Sequence, residues 1–219
     1  MNIDINKTMI NLKNNNIDSS LVQNKEELIS TVKELVSENS SIYTGGSTTL
    51  FETGIIDFFR NSNKYNFYDR YGNEVSTIEK DKMNIDAFNG DYFFCSANAI
   101  TETGEIYQVD NLGNRLAATI FGPKKVMLIV GTNKIVPSVK DAIIRVKSLA
   151  APQNSFRHGN DTYCSKHGRC FQCRGDENSL MAVPSGSCPD TICSTAAVLS
   201  KQLIKGRIHI IFINHKYGY

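Results

Sequence analysis

The chain has 219 residues, of which 41% are hydrophobic and 21% are charged, and this is an ordinary composition for a globular protein with a substantial core. Its net charge of +2, with acids and bases interspersed, argues against a nucleic-acid-binding protein, which would need clustered Lys and Arg. The sequence shows neither an apolar run of membrane-spanning length nor an N-terminal signal segment, so we expect a cytoplasmic protein that has no membrane partner. In that compartment, the six cysteines are expected to be free thiols, metal ligands or redox centres.

The first third of the chain alternates between helical and strand patterns. Ile5, Met9 and Leu12 share one helical face, and residues 18–23 suggest a short edge strand. Asn24 followed by Glu27 is typical of a helix N-terminus. The segments that follow are a strand at 41–44, a helix after residue 49, a brief strand at 67–70 and a helix at 74–88.

The centre of the chain, residues 91–135, contains two short and nearly continuous apolar runs, Tyr92–Cys95 and Val126–Val130. Such runs predict strands that are buried on both faces of a parallel sheet. Between them, residues 105–110 and 115–121 resemble the two strands of a hairpin around a turn-rich Asn111–Asn114. We therefore predict one α/β domain over residues 1–219, with a mostly parallel central sheet, flanking helices and an inserted β-hairpin.

Three of the predicted strands end in polar loops, at 45–49, 96–104 and 131–134. Consecutive parallel strands with right-handed crossovers place such loops at one edge of a sheet, where α/β proteins bind ligands. Glycines let the backbone approach an anion, asparagine amides orient a polar substrate, and lysine supplies positive charge. The predicted ligand-binding residues are Gly45, Gly46, Ser47, Asn98, Asn133 and Lys134.

Two glutamates, Glu52 and Glu102, follow these strand ends and are the candidate general bases or nucleophiles. Each candidate residue also has a structural interpretation. Asn98 can cap a turn, Glu102 can start a hairpin at the surface, and Lys134 can be a solvated loop charge. Their concentration at predicted strand ends favours the joint interpretation as a pocket for a small anionic metabolite.

The last third of the chain combines a helix with a cysteine-rich segment. Ser138 and Asp141 indicate a helix start, and Ala151-Pro152 is predicted to end that helix. Residues 153–193 are expected to be loop-like, and the cysteine-rich segment at 158–193 holds five of the six cysteines. The lone Cys95 lies inside an apolar strand and is expected to be a buried small hydrophobe. Two strands, at 195–199 and 207–213, are predicted to close the chain.

The spacing C-x5-C-x2-C, with a further cysteine downstream, is compatible with a tetrahedral metal site. The predicted ligands are Cys164, Cys170, Cys173 and Cys193, with Cys188 and His167 as alternative ligands. Zinc is the predicted metal, and an iron–sulfur cluster is the alternative. The same spacings also fit a set of reduced thiols or a disulfide formed during handling.

Several of these stretches resemble the LUD (lactate-utilisation) domain family. They are SANAITETGEIYQVDNLGNR with IFGPKKVMLIVGTNKIV, TGGSTTLFETG at 44–54, and AAPQNSFR at 150–157. GRCFQC and the terminal GRIHIIFINHKYGY are similar to a short, stand-alone branch of that family.

The resemblance implies a fold like the CoA-transferase and sugar-phosphate-isomerase group and a role connected with lactate oxidation. It further implies a hydroxy-acid, keto-acid or phosphorylated ligand, and iron–sulfur partner proteins that move electrons from lactate. Two alternatives stay open. One is a stand-alone acyl- or phosphosugar-type enzyme, in which a carboxylate would form an acyl intermediate. The other is a metal- or redox-sensing binding protein.

Overall fold

The computed structural model describes residues 3–171, 188 and 190–219, and its centre is a six-stranded sheet. The strand order is β1-β10-β7-β4-β2-β3, and every neighbouring pair in it is parallel. The strands of this sheet are β1 (Asp18–Val22), β2 (Ser41–Thr44), β3 (Asn66–Phe67), β4 (Tyr92–Cys95), β7 (Lys125–Gly131) and β10 (Ile208–Ile213).

A second, four-stranded sheet has the order β8-β5-β6-β9. Its strands are β5 (Ala99–Thr101), β6 (Ile106–Asp110), β8 (Ile135–Val136) and β9 (Thr195–Leu199). The β6 strand is antiparallel to both β5 and β9, whereas β5 and β8 are parallel. Buried side chains from both sheets, among them Cys95 and Ile106, belong to one apolar cluster.

Nine α-helices are present in the described residues, and several pack against the sheets. They are α1 (Ile5–Asn14), α2 (Lys25–Leu35), α3 (Thr48–Glu52), α4 (Ile55–Arg60), α5 (Thr77–Asp86), α6 (Asn114–Ile120), α7 (Val139–Arg145), α8 (Ala151–Arg157) and α9 (Tyr163–His167). No helix in this described part is long and apolar enough to cross a lipid bilayer.

The predicted central sheet is confirmed. The segments 41–44, 92–95 and 126–130 lie in one sheet as β2, β4 and β7, with β4 between the other two. Val126, Leu128, Ile129 and Val130 are fully buried, as expected for an inner strand that is covered on both faces. The predicted start of α2 is also confirmed, because the Asn24 side chain accepts a hydrogen bond from the Glu27 amide.

The predicted hairpin at 105–121 is wrong in its second half, because residues 114–120 form helix α6. The cause is the side chain of Asp110, whose Oδ2 accepts hydrogen bonds from the amides of Arg115 and Leu116 and so starts a helix. Gly113 precedes this helix in the left-handed region with φ 84°. The hairpin partner of β6 is instead β5, which lies on its N-terminal side in the chain.

The predicted helix end at Ala151-Pro152 is also wrong, since a π-helical segment, Val146–Ala150, leads from α7 directly into α8. A proline is tolerated in the first turn of a helix, and Pro152 is in that position of α8. Residues 151–157 and 163–167 are therefore helical, where a loop was expected from residue 153 onward. The continuation brings Asn154 and Arg157 to the wall of the main cavity described below.

Candidate functional site

A cavity of about 500 Å³ opens where β2, β4 and β7 end, and we call it the main cavity. The three strand-end loops meet there, as Gly46 and Ser47 follow β2, Ser96 and Asn98 follow β4, and Lys134 follows β7. Its opposite wall is formed by the end of β6, helix α6 and helix α8. This is the edge at which parallel α/β sheets commonly bind ligands.

The guanidinium of Arg115 is fixed in the main cavity by the chain around it. Its Nη1 donates to the carbonyl of Ser96 at 3.1 Å, while its Nη2 donates to the carbonyl of Val109 at 2.7 Å and to Asn98 Oδ1 at 3.1 Å. Its Nε lies 3.4 Å from Asp110 Oδ1. These contacts hold a planar cation in one orientation, which suits the recognition of a carboxylate or phosphate.

The ammonium group of Lys134 is buried at the same edge and is hydrogen-bonded to two hydroxyls. Its Nζ donates to Thr49 Oγ1 at 2.8 Å and to Ser96 Oγ at 3.1 Å. Burial, followed by the nearby charges of Arg145 and Arg115, lowers the pKa of Lys134 to about 7, against a smaller opposing effect of Glu52. Lys134 is therefore not the solvated loop charge of the alternative interpretation, since only 3% of the residue is exposed.

The charges that line the main cavity are unbalanced. Four lysine and arginine side chains line it, namely Arg70, Arg115, Lys134 and Arg157, whereas Asp110 is the one acidic residue among the described lining residues. Asp110 is already engaged with the α6 amides and with Arg115. A cleft whose walls carry an excess of positive charge attracts anions.

Of the three residues predicted to bind the ligand in the 45–49 loop, Gly46 and Ser47 line the main cavity and Gly45 lies behind its wall. Gly45 does not line it, but a Cβ added there would lie 2.8 Å from Cγ of Arg115, so this glycine makes room for the arginine. A Cβ on Gly46 would meet nothing within 4 Å. Ser47 caps α3 through the Leu50 amide at 3.4 Å, and α3 has only five residues. Cationic side chains are therefore the main source of positive charge in this cavity.

The two predicted asparagines differ in position. Asn98 lines the main cavity, and its Oδ1 accepts from Arg115 and from the Val109 amide at 2.9 Å, so this amide orients the arginine. Asn133 does not line the cavity. Its side chain donates to the carbonyl of Gly218 and accepts from the Tyr217 amide, which anchors the C-terminal segment beside the site.

Neither predicted catalytic glutamate lines the main cavity. Glu52 accepts a hydrogen bond from the Gly218 amide at 2.6 Å and lies close enough to Lys134 to affect its pKa. Glu102 accepts from the Asp4 amide at 2.9 Å, at the start of α1. Glu102 therefore lies apart from the other residues that were predicted to share one pocket, because the turn between β5 and β6 directs its side chain towards α1.

Several lining residues were not singled out from the sequence. The sequence predicts Arg115 in a strand of the hairpin and Arg157 in a loop. Arg70 donates to Asn84 Oδ1 at 2.9 Å, and Arg157 donates to the hydroxyl of Tyr219 at 2.6 Å. The AAPQNSFR stretch at 150–157 was the available signal for Arg157, whereas no local pattern marks Arg70 as a cavity residue.

A second, smaller cavity of about 20 Å³ is lined by thiols, and we call it the cysteine cavity. Cys164, Cys170, Cys188 and Cys193 all line it, while the predicted ligand Cys173 lies outside the described residues. Burial, with smaller contributions from the other three thiols, raises the pKa of Cys193 to about 12. Within the described ranges, no three His, Cys, Asp or Glu side chains are arranged to hold a metal ion.

The main cavity and the cysteine cavity share part of their walls. Ala151, Ile192 and Cys193 line both of them. The continuous helical path through α7 and α8 produces this contact, because Lys147 and Ala151 face the thiols while Asn154 and Arg157 face the main cavity. Single side chains therefore separate the space of one cavity from the space of the other.

Comparison with known proteins identifies the family and the fold. The model of the LUD domain family matches residues 5–213. A crystal structure of a DUF162 family protein from Deinococcus radiodurans is similar with a TM-score of 0.52 and 12% sequence identity, over 95% of this chain and 94% of that one. At this identity the likeness concerns the fold. No curated protein matches the chain.

Proposed function

The chain belongs to the LUD domain family, which relates to lactate utilisation in general, and we propose that it binds a small anionic metabolite in the main cavity. The observation that carries the proposal is the excess of basic over acidic side chains on the cavity wall, with Arg115 and Lys134 side by side at the strand ends. Hydroxy acids, keto acids and small phosphorylated compounds have the charge that this wall would bind.

The size of the main cavity supports a small-molecule ligand, since a volume of about 500 Å³ is typical of metabolite sites. Arg115 is held by carbonyl oxygens and by Asn98, so the ligand does not need to order it on binding. The Nη1 atom donates to one carbonyl, which leaves its other N–H for a ligand oxygen.

Calorimetric titration tests the proposal through a matched pair of ligands, lactate and the uncharged lactamide. We expect lactate, pyruvate or inorganic phosphate to bind with a Kd of ~1–10 mM or below, and lactamide to bind at least tenfold more weakly. In a parallel NMR titration, the backbone amide signals of residues 45–49, 96–98 and 110–116 should shift. Equal affinity for lactate and lactamide, or shifts confined to other residues, would contradict an anion site in the main cavity.

The carboxylate-dependent acyl-transfer alternative gains no support from the site, because neither Glu52 nor Glu102 lines the main cavity. Lactate oxidation also requires an electron acceptor. In this account the protein is an accessory component that handles the anion, and iron–sulfur partner proteins would carry the electrons.

We further propose that the cysteine cavity binds a metal ion, with zinc as the first candidate and an iron–sulfur cluster as the second. The supporting observation is that four thiols from two distant segments line one small cavity. Cys164, Cys170 and Cys193 of the predicted ligand set are among them, and either Cys173 or Cys188 would complete a tetrahedron. Binding would require the thiols to lose their protons and to draw closer together.

Metal analysis of protein purified without air or chelator tests this second proposal. We expect about one zinc per chain, or iron with matching sulfide, and loss of the metal in Cys170→Ser. Cys95→Ser is the control, because Cys95 is buried in β4 away from the other thiols and should leave the metal content unchanged. Metal-free wild-type protein with an unchanged Tm after chelator treatment would contradict the site.

A further inference from the structure

We propose that Lys134 forms an imine with the carbonyl group of a 2-oxo acid bound in the main cavity, a step that rests on the anion binding proposed above. The lone pair of Nζ attacks the carbonyl carbon and forms a carbinolamine. Loss of its hydroxyl group as water then leaves a C=N bond. One water molecule is released per adduct, and hydrolysis reverses the reaction without any oxidant or reductant.

The position of Nζ fits this chemistry. Its two hydrogen bonds are to the hydroxyls of Thr49 and Ser96, and both of these residues line the main cavity. Gly218 lines the cavity as well, and a Cβ added there would lie 3.0 Å from Nζ. The amine therefore lies at the cavity wall, and two hydroxyl groups fix its direction.

The surroundings of the amine favour its neutral, nucleophilic form. Arg115 from α6 and Arg145 from α7 oppose its protonation, while Glu52 from α3 and Cys95 from β4 favour it, and burial is the largest effect. The resulting pKa of about 7 leaves a large fraction of Lys134 neutral near pH 7. An exposed lysine has a pKa of about 10.4 and is almost entirely protonated there. Desolvation beside other cations is a known way to activate a lysine nucleophile.

Arg115 supplies the complementary group for the substrate. A 2-oxo acid carries a carboxylate next to its carbonyl group. An arginine beside the amine can therefore bind the carboxylate while the amine attacks the carbonyl carbon. Arg145 has a supporting position, since its Nη1 donates to the carbonyl of Asn98 at 2.6 Å and its Nε to that of Asn133 at 3.4 Å. These contacts fix the loops on both sides of Lys134.

Reductive trapping tests the proposal. Pyruvate and cyanoborohydride are added to the full-length protein, and peptide mass spectrometry locates the reduced adduct. We expect modification at Lys134 and its loss in Lys134→Met, with circular dichroism checking the fold of that variant. Lys64→Met is the control, because Lys64 is exposed and pairs with Glu38 at the surface, so the adduct at Lys134 should persist.

The pH dependence in wild-type protein provides a readout that does not depend on any variant. The ratio of trapping at Lys134 to trapping at exposed lysines in the same sample should stay constant up to about pH 7 and fall steadily between pH 7 and about pH 10, as the exposed amines lose their protons. Absence of an adduct at Lys134, in protein that binds pyruvate by calorimetry, would overturn the imine and leave the anion site standing. Absence of both pyruvate and lactate binding would overturn the proposed function and this inference together.

Discussion

The six-stranded sheet has charged residues at both ends of its strands, but the contacts of these residues differ between the two ends. At the edge where β2 and β4 begin, the amino edge, Asp91 accepts hydrogen bonds from the amide and hydroxyl of Ser41 and from Lys124 Nζ at 2.8–2.9 Å. Arg207, just before β10, donates to the carbonyls of Pro123, Thr119 and Ala118. At the opposite, carboxyl edge, four lysine and arginine residues surround a cavity with one acidic residue in the described wall.

The difference distinguishes charges that are paired within the fold from charges that would be available to the proposed ligand. The Lys124 ammonium and the Ser41 donors hold the pKa of Asp91 at about 2, so this carboxylate is stabilised within the folded chain. Lys134 shows the opposite, because burial and the neighbouring arginines lower its pKa to about 7 and disfavour its protonated form. A protein tolerates such a group mainly at sites of binding or catalysis.

The largest expected effect concerns the pH dependence of stability at Lys134. Its pKa is about 7 in the folded protein and 10.5 in the unfolded reference, so the unfolded chain binds more protons between these values and stability rises with pH. From pH 7 to pH 9.5, wild type should gain about 3 kcal/mol relative to Lys134→Met. Urea unfolding of both proteins at the two pH values measures this gain, and parallel pH profiles would contradict the burial of a titrating amine.

The next largest effect comes from two arginine variants, one at each edge, of which one should lose affinity and the other stability. Arg115→Met should weaken lactate or pyruvate binding by about 100-fold, because charge-assisted hydrogen bonds to the anion are lost. Arg207→Met should instead lower the free energy of unfolding by about 3 kcal/mol, since it leaves buried carbonyls without their donor, and should leave affinity unchanged. Calorimetry and urea unfolding distinguish the two outcomes. An equal loss of affinity in both variants would mean that Arg115 acts only through the fold.

A smaller effect is expected from the neighbouring glycines. Gly45→Ala should displace Arg115 and weaken anion binding by about tenfold, because the new Cβ would lie 2.8 Å from the arginine Cγ. Gly46→Ala is the matched control and should leave the position of Arg115 and the Tm unchanged, since its Cβ meets nothing within 4 Å. Calorimetry with lactate measures both variants. A stronger effect of Gly46→Ala would show that the backbone at Gly46, rather than Arg115, determines affinity.

The smallest effect belongs to the amino edge. Asp91→Asn should cost about 1 kcal/mol near pH 7, a modest value because the carboxylate is partly solvent-exposed. The folded pKa of about 2 is below the ordinary 3.8, so this contribution is present above pH 4 and is lost as the pH falls towards 2. Acid unfolding of the variant should therefore be less steep than that of wild type, while its affinity for lactate at pH 7 stays the same.

The sequence predicted the sheet better than the site. Continuous apolar runs such as Val126–Val130 are diagnostic of inner parallel strands, and the cap at Asn24 is a local signal for a helix. Helix α6 was missed because its start depends on one side-chain contact, from Asp110 to the Arg115 and Leu116 amides, which competes with an equally plausible hairpin turn. Missing α6 also concealed Arg115 as a residue of the cavity wall.

Lys134 and Glu102 illustrate the same limit on prediction. Both follow strands in the sequence, but the chain directs Lys134 into the cavity and Glu102 towards the amide of Asp4 in another element. Arg70 and Arg157 reach the cavity from segments that are distant in sequence, and only the assembled fold brings them together. Local patterns therefore located the edge of the sheet, whereas the composition of the site depended on tertiary contacts.

The most direct test of the anion site is the position of a bound 2-oxo acid in a crystal structure of the protein soaked with pyruvate. We expect the carboxylate of pyruvate within hydrogen-bonding distance of Arg115 Nη1, with its carbonyl carbon facing Lys134 Nζ. The anion site would be contradicted by a main cavity without pyruvate at a concentration that saturates binding in solution. It would also be contradicted by pyruvate bound at the amino edge, against Lys124 or Arg207.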